Sequence, residues 1–403
     1  MFSLALVVSF LALGVAAKPV AVHGPLVKLP LSKVIHGIGS HTLLQRDQAR
    51  ALALKNMANG SQGGGVFNLT VDNQAVTYVA DIGIGTPPTS YKLLIDTGSS
   101  NTWIGAGKAY VKTNSSIPTA DNVSVWYGSG QMTGTEYLDT VTLAPGLVVY
   151  NQSIGDATSS SGFDGVDGIL GVGPTDLTRG SLSPDSSSTV PTVVDNAWNQ
   201  GLITADKIGI SIEPTTTNVS TGEITWGGVD PSKFNGTLNY APITTSSPSS
   251  NYWGVDQSIT YDTSTILNTG AGIVDTGTTL ILLATDAYKA YVNATGATLD
   301  SDTGLLTITT ANYANLKSLF FNINGVPYEL TPNAQTWPRS LNTAIRGNAQ
   351  SIYLVIADLG LLSDGGLNFI NGYTFLERYY SVYDSANKAV GFAQTPYTFA
   401  TTN

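Results

Sequence analysis

The chain uses one short unit twice. Asp96-Thr97-Gly98 lies within Leu93-Leu94-Ile95-Asp96-Thr97-Gly98-Ser99-Ser100, and Asp275-Thr276-Gly277 within Gly272-Ile273-Val274-Asp275-Thr276-Gly277-Thr278-Thr279. In both, an apolar run leads into the acid and hydroxyl side chains follow the glycine. A bare tripeptide of common residues would carry little weight, as a third copy makes plain. Asp302-Thr303-Gly304 has Asp300-Ser301 before it and Leu305-Leu306 after it, the setting of a polar turn between strands. The first two copies match over about seven positions, which predicts a duplicated strand-and-loop unit. Two related lobes follow from that, and at 403 residues the chain is longer than one hydrophobic core usually fills. Charged residues are scarce, Gly, Ser and Thr are frequent, and long amphipathic helical runs are missing. That pattern predicts a mainly β fold of many short strands and turns.

The first stretch, residues 1–17, is an apolar run ending in the small residues Val15-Ala16-Ala17. It reads as a cleaved signal peptide, with a membrane anchor as the alternative. No later segment is apolar enough to span a bilayer, so a secreted, extracellular protein is expected. Asn-X-Ser/Thr sequons at Asn59, Asn68, Asn114, Asn122, Asn151, Asn218, Asn235 and Asn293 fit a secretory route.

Behind the signal, residues 18–65 carry Lys18, Lys28, Lys33, Arg46, Arg50 and Lys55 against a single acid, Asp47. The whole chain has 18 Lys/Arg and 28 Asp/Glu, so this basic leader precedes a strongly acidic body. The charge split predicts a propeptide whose cations pair with carboxylates of the body and let go when acid protonates them. An inert basic tail is the alternative. The stretch Asn59-Gly60-Ser61-Gln62-Gly63-Gly64-Gly65 is suited to being cut. It holds no dibasic site, so self-cleavage is expected. An acidic body is a poor match for nucleic acid.

Residue types exclude several chemistries. There is no cysteine, and the three histidines, His23, His36 and His41, all lie in the leader. A body without Cys or His has no Ser-His-Asp triad, no Cys-His pair and no histidine-held zinc. No phosphate-binding Gly-rich motif occurs. Carboxylate chemistry is left, and a glycosidase pair stays open at this point. Two acids within hydrogen-bond reach cannot both ionise in a partly buried site, so they share a proton. The ionised one can take a proton from water while the other donates to an attacked carbonyl oxygen. Gly98 and Gly277 allow tight turns, Ser99 and Thr278 can orient the acids, and Thr97 and Thr276 can tie the two loops together.

Further motifs extend the pattern. Ile82-Gly83-Ile84-Gly85-Thr86-Pro87-Pro88 precedes the first unit and Asn101-Thr102-Trp103-Ile104 follows it. Val125-Trp126-Tyr127-Gly128-Ser129-Gly130, Asp167-Gly168-Ile169-Leu170-Gly171, Trp226-Gly227-Gly228-Val229-Asp230 and Tyr379-Tyr380-Ser381-Val382-Tyr383-Asp384 complete the set. A short helix is expected over residues 191–202, with Gly201 as its terminating glycine. With these residues the chain, from about Tyr78 to its end, resembles the pepsin-like aspartic proteases, and most closely their secreted fungal members.

The resemblance implies a bilobal fold of two related β lobes with a central cleft and few short helices. Residues 66–245 would form the first lobe and 246–403 the second. Asp96 and Asp275 would be the catalytic pair, supported by Thr97, Gly98, Ser99, Thr276, Gly277 and Thr278. A flap carrying Tyr127, Gly128 and Ser129 would close over a polypeptide bound in extended form. Leu94 and Tyr127 would line the pocket before the scissile bond, while Trp103 and Trp126 read more simply as core aromatics. No metal or organic cofactor is indicated, and a monomer with no nucleic-acid or membrane partner is expected. Where many relatives have Leu-Gly-Asp, this chain has Asn371-Gly372-Tyr373. Which leader lysine, if any, reaches the acid pair is left open. A catalytically silent binding protein of the same fold is the alternative function.

Overall fold

The computed structural model describes residues 26–35, 41–57, 76–214, 220–363 and 365–403. The expected signal peptide, the Gly-rich stretch 59–65 and the sequons at Asn59, Asn68 and Asn218 lie outside the described residues. The architecture is mainly β, built from a 14-stranded sheet, a seven-stranded sheet and a small three-stranded one.

The leader supplies two elements. Strand β1 (Val27–Ile35) enters the large sheet between strand Ser220–Trp226 and β2 (Val76–Ile84), antiparallel to both. Its alternation turns Leu29, Leu31 and Lys33 to the buried side. Helix α1 (Leu43–Met57) follows. Its start is a reciprocal cap: the Gln45 backbone N–H donates to Thr42 Oγ1 at 3.2 Å and the Thr42 N–H to Gln45 Oε1 at 2.9 Å. The expectation of short helices holds for the body, where the longest described helix is Thr285–Thr295. The 15-residue α1 exceeds it. The helix expected over 191–202 runs Val193–Asn199, begun by a Thr192–Asp195 capping box. Gly201 follows its C-cap with a left-handed φ of +68°, which a glycine adopts without strain.

The repeated sequence unit is repeated in the fold. β3 (Thr89–Asp96) begins half exposed and ends fully buried. Its last residues pair in parallel with the short strand Gly168–Gly171, Asp96 opposite Gly171. Strand Thr102–Ile104, after the loop, runs antiparallel along the same short strand. In the second half, strand Ser264–Val274 pairs in parallel with Phe369–Asn371, and Ile281–Leu283 runs antiparallel beside that strand. Each loop is thus held between an incoming and an outgoing strand that share one buried neighbour. Buried where they meet the loops, the two incoming strands end in apolar runs. Asp302-Thr303-Gly304 is a turn, as expected: Asp300 Oδ1 accepts from the N–H groups of Asp302 and Thr303.

The chain end crosses over. Strands Tyr379–Asp384 and Ala389–Gln394 join the large sheet beside Lys207–Ile212, not the seven-stranded one. Among the described residues no helix is long and apolar enough to cross a membrane.

Candidate active site

Asp96 and Asp275 are both fully buried at the ends of their strands. Each sits in the same cradle. Gly98 N–H donates to Asp96 Oδ1 at 2.9 Å and Ser99 Oγ to Oδ2 at 2.6 Å. Gly277 N–H donates to Asp275 Oδ1 at 3.0 Å and Thr278 Oγ1 to Oδ2 at 2.6 Å. A Cβ on Gly98 would stand 2.6 Å from Asp275 Oδ1, and one on Gly277 would stand 2.7 Å from Asp96 Oδ1. Only glycine lets the two loops approach this closely.

Thr97 and Thr276 lock the loops together. Thr97 N–H donates to Thr276 Oγ1 and Thr276 N–H to Thr97 Oγ1, both at 3.0 Å. Thr276 Oγ1 in turn donates to the Ile95 carbonyl at 2.8 Å and Thr97 Oγ1 to the Val274 carbonyl at 3.3 Å. These bonds cross from one repeat to the other with no water between.

The cation at this pair is an arginine, where the sequence had directed attention to lysines. Arg50 of α1 donates from Nε to Asp275 Oδ2 at 2.7 Å, and from Nη2 to Asp275 Oδ1 at 3.0 Å and Asp96 Oδ1 at 2.5 Å. The planar guanidinium fork reaches both acids at once, which a point-like ammonium does not do in the same way. The acids respond unequally. Burial pushes Asp96 up, and the nearby Asp275 charge adds to that against the pull of Arg50. Asp275 feels the same burial, but the Arg50 charge and hydrogen bonds bring it below the usual carboxylate range. The two acids titrate as one unit.

Three further leader contacts have partners that the sequence did not name. Asp47, one turn before Arg50, is buried and accepts at Oδ2 from the N–H groups of Thr279 (3.2 Å) and Leu280 (2.8 Å). Burial lifts its carboxyl to about 7 despite those bonds and the nearby Arg46 and Arg50 charges. Lys33 Nζ lies 2.7 Å from Glu377 Oε1, both side chains buried. Lys28 bonds Asp230 and approaches Glu223 at 3.4 Å. A signal for the helix was available in Thr42-x-x-Gln45 and in the spacing Leu43, Asp47, Arg50, Leu54. Its buried face is charged, so a search for apolar periodicity passes over it.

The hairpin of strands Ile117–Trp126 and Gln131–Ala144 brings Tyr127, Gly128 and Ser129 to its tip. Tyr127 N–H donates to the Gly130 carbonyl at 2.8 Å, closing the turn. Its hydroxyl accepts from Trp103 Nε1 at 2.8 Å, and burial first, then the Asp96 charge, raise the phenol. Phe163 packs edge-on against both Trp103 and Tyr127, a contact the sequence did not disclose. Leu94 and Trp103 are buried in that same cluster, whereas Trp126 is half exposed. Gly128 has φ +73°, and a Cβ there would run into the Ala49 carbonyl of α1. The leader helix therefore lies directly beneath the hairpin tip, with Ser129 beside Asp47 and Arg50. Tyr373, where the resemblance led to the expectation of an acid, is buried edge-on to Tyr78 at 5.5 Å. Asn371 meanwhile bonds Gln257 at 2.9 Å.

Two buried acids on matched loops, joined by paired threonines and overhung by a tyrosine-bearing hairpin, define an aspartic protease architecture. The eukaryotic aspartyl protease family model matches residues 77–395, and the chain belongs to that family. It is 60% identical over 333 residues to polyporopepsin from Irpex lacteus, covering 82% of this chain and 98% of that protein. Pepsin A from Sus scrofa is 32% identical over 336 residues, 78% of this chain and 80% of that one. The crystal structure of the aspartic proteinase from Irpex lacteus superposes with a TM-score of 0.80 at 59% identity, covering 81% and 96% of the two chains. The protein is an aspartic endopeptidase, a hydrolase that acts on polypeptides.

Proposed function

We propose that the chain is a secreted zymogen whose mature form hydrolyses peptide bonds in acid, with Asp96 and Asp275 as its catalytic pair. The observation that carries this reading is the Arg50 guanidinium between the two carboxylates. It fills the place that an attacked carbonyl and its water would need.

The reaction follows from the cradle. Once Arg50 leaves, the carboxylates share one proton because two neighbouring charges in a buried site repel. The ionised acid takes a proton from a bound water, whose oxygen attacks the carbonyl carbon. The protonated acid donates to the carbonyl oxygen. The roles then reverse as the tetrahedral intermediate collapses, the C–N bond breaking while the acid that took the water proton gives it to the leaving amine and the other regains its proton from a hydroxyl of the intermediate. Thr97 and Thr276 fix the distance between the acids, Ser99 and Thr278 fix their rotation, and Gly98 and Gly277 allow the approach. Tyr127, Gly128 and Ser129 serve as the flap over an extended peptide, in the space that α1 fills in the uncut chain. Leu94 and Tyr127 line the pocket before the scissile bond.

In this reading residues 1–17 are the signal peptide and 18–65 the leader. Residues 66–245 form the first lobe and 246–403 the second. The mature protein works outside the cell as a monomer, with no nucleic-acid or membrane partner. Purified protein lacking residues 1–17, incubated across pH with its mass followed, tests the zymogen. Shortening between residues 57 and 66 that needs acid is expected, and its absence would sink the claim. Cleavage of denatured protein in acid, blocked by a hydroxyl-bearing peptide that mimics the tetrahedral intermediate, tests the chemistry.

A further inference from the structure

A second cation site lies away from the acid pair. Lys33 Nζ is 2.7 Å from Glu377 Oε1, and the Tyr78 hydroxyl donates to the same oxygen at 2.5 Å. The ammonium stands over the rings of Tyr373 and Tyr78, 5.6 and 5.9 Å from their centroids. The side chains of Lys33 and Glu377 are 2% and 5% exposed. Trp337 and Thr374 line the same cavity, and their buried Nε1 and Oγ1 atoms find no hydrogen-bond partner there.

Apart from Lys33, every group named belongs to the protease body. The leader lends only the cation. Taking it away leaves a buried carboxylate without its ion partner, which is strongly destabilising. The neighbouring Arg378 directs Nη1 to the carbonyls of Tyr397 and Ala400 instead. A carboxylate with two aromatic faces is suited to an ammonium ion, and a socket shaped around a lysine stem favours a primary alkylammonium over a guanidinium or a quaternary ion.

We propose that Glu377, Tyr78 and Tyr373 form a primary-ammonium binding site that persists in the body and takes a new cation when the leader goes. Residues 58–76 contain no Lys, Arg or His. A cut within them therefore offers one new cation, the α-ammonium of the shortened chain. A lysine side chain of a bound peptide is the other source of the same chemistry. The occupant rests on the proposed loss of the leader, whereas the socket can be tested in the uncut chain.

Lys33→Ala in the uncut protein removes the atoms from Cγ outward, and n-propylammonium replaces them. The variant should melt several degrees lower. Millimolar n-propylammonium should restore the Tm, while tetramethylammonium and n-propanol should not. Restoration should vanish in Lys33→Ala/Glu377→Gln. Lys33→Met, which keeps the stem and loses the charge, serves if the alanine variant does not fold. It should melt low and be stabilised by Glu377→Gln, which removes the unpaired charge. No restoration by n-propylammonium in a folded alanine variant, or equal restoration without Glu377, overturns the site. For the methionine variant, a melting temperature unaffected by Glu377→Gln does the same. In the leader-free protein, slowed acetylation of the new α-amino group that depends on Glu377 assigns the terminus as occupant. Calorimetric binding of n-propylammonium with normal acetylation assigns a peptide lysine, and the absence of both effects overturns the proposal for the mature form.

Discussion

The two Asp-Thr-Gly loops are near copies in backbone and cradle, yet their acids are held in unequal states. Each aspartate accepts one glycine N–H and one hydroxyl at nearly the same distances. Burial acts on both. The inequality enters through Arg50, which gives Asp275 two hydrogen bonds and Asp96 one. Asp275 is drawn below the usual range while Asp96 is pushed above it. A duplicated scaffold can thus hold identical acids differently when a single cation from outside the repeat leans toward one copy. The paired threonine N–H bonds, both 3.0 Å, favour neither side.

The sharpest test of this comparison separates activity from leader binding. Asp96→Asn and Asp275→Asn, each with its leader removed in trans, should both lose at least about a thousandfold in kcat on denatured protein, since each removes one half of an acid–base exchange. In the uncut chain the two should part company. Asp275→Asn loses two charge-assisted bonds to Arg50 and should shed its leader more readily. Asp96→Asn loses one such bond and should shed it less readily. Equal leader loss in the two variants would break the asymmetry. The next largest effect belongs to Arg50→Ala, which leaves the acid pair without its cation and should weaken leader docking by about 3–5 kcal/mol. Arg50→Lys keeps the charge without the fork and should fall between. Tryptic release of the leader against pH reads both.

Much of this site was legible in the residues. The matched flanks around Asp96 and Asp275 located two equivalent loops, because a buried parallel strand running into a tight turn leaves an apolar run ending in glycine. The hairpin around Tyr127 was expected from the family resemblance, carried by residues 125–130. What the sequence hid was the partner chemistry. Arg50 and Asp47 lie on a helix whose buried face is charged, so they look like a solvated surface in one dimension. Lys33 sits at an inward position of β1, where alternation calls for an apolar residue, and it is tolerated only because Glu377, 344 residues later, is there to meet it. The hydroxyls of Thr97 and Thr276 could be assigned to backbone bonds, but their reciprocal pairing depends on two loops 179 residues apart facing each other.

The symmetric part of the comparison has its own test. Thr97→Ala and Thr276→Ala each delete an acceptor for the opposite loop's N–H and leave that buried donor unmet. Each should cost about 1–3 kcal/mol by denaturant unfolding, and the two costs should match. A large difference would show that the loops are not equivalent even without Arg50.

The smallest expected effect concerns the pH at which the leader holds. Asp230, paired with Lys28, is brought from 3.8 to about 2 because the Lys28 and Ser232 hydrogen bonds outweigh its burial. Its contribution to docking is therefore full above about pH 4 and is lost as pH falls toward 2. Asp47 works the other way. Its carboxyl rises from 3.8 to about 7 on burial, so its contribution is full below about pH 4 and is lost as pH rises through 7. Acid loosens the Lys28 end of the leader while favouring the buried, neutral Asp47. Asp47→Asn should leave acid release almost unchanged, because the native side chain is already neutral there and its oxygen still accepts from Thr279 and Leu280. Above pH 7 the variant should hold its leader more firmly than the native chain, which must bury an ionised carboxylate beside Arg46 and Arg50. Proteolytic protection of the leader measured from pH 3 to 9 would show the two curves converging in acid and separating in base; curves that separate in acid instead would mean that Asp47 stays charged when docked.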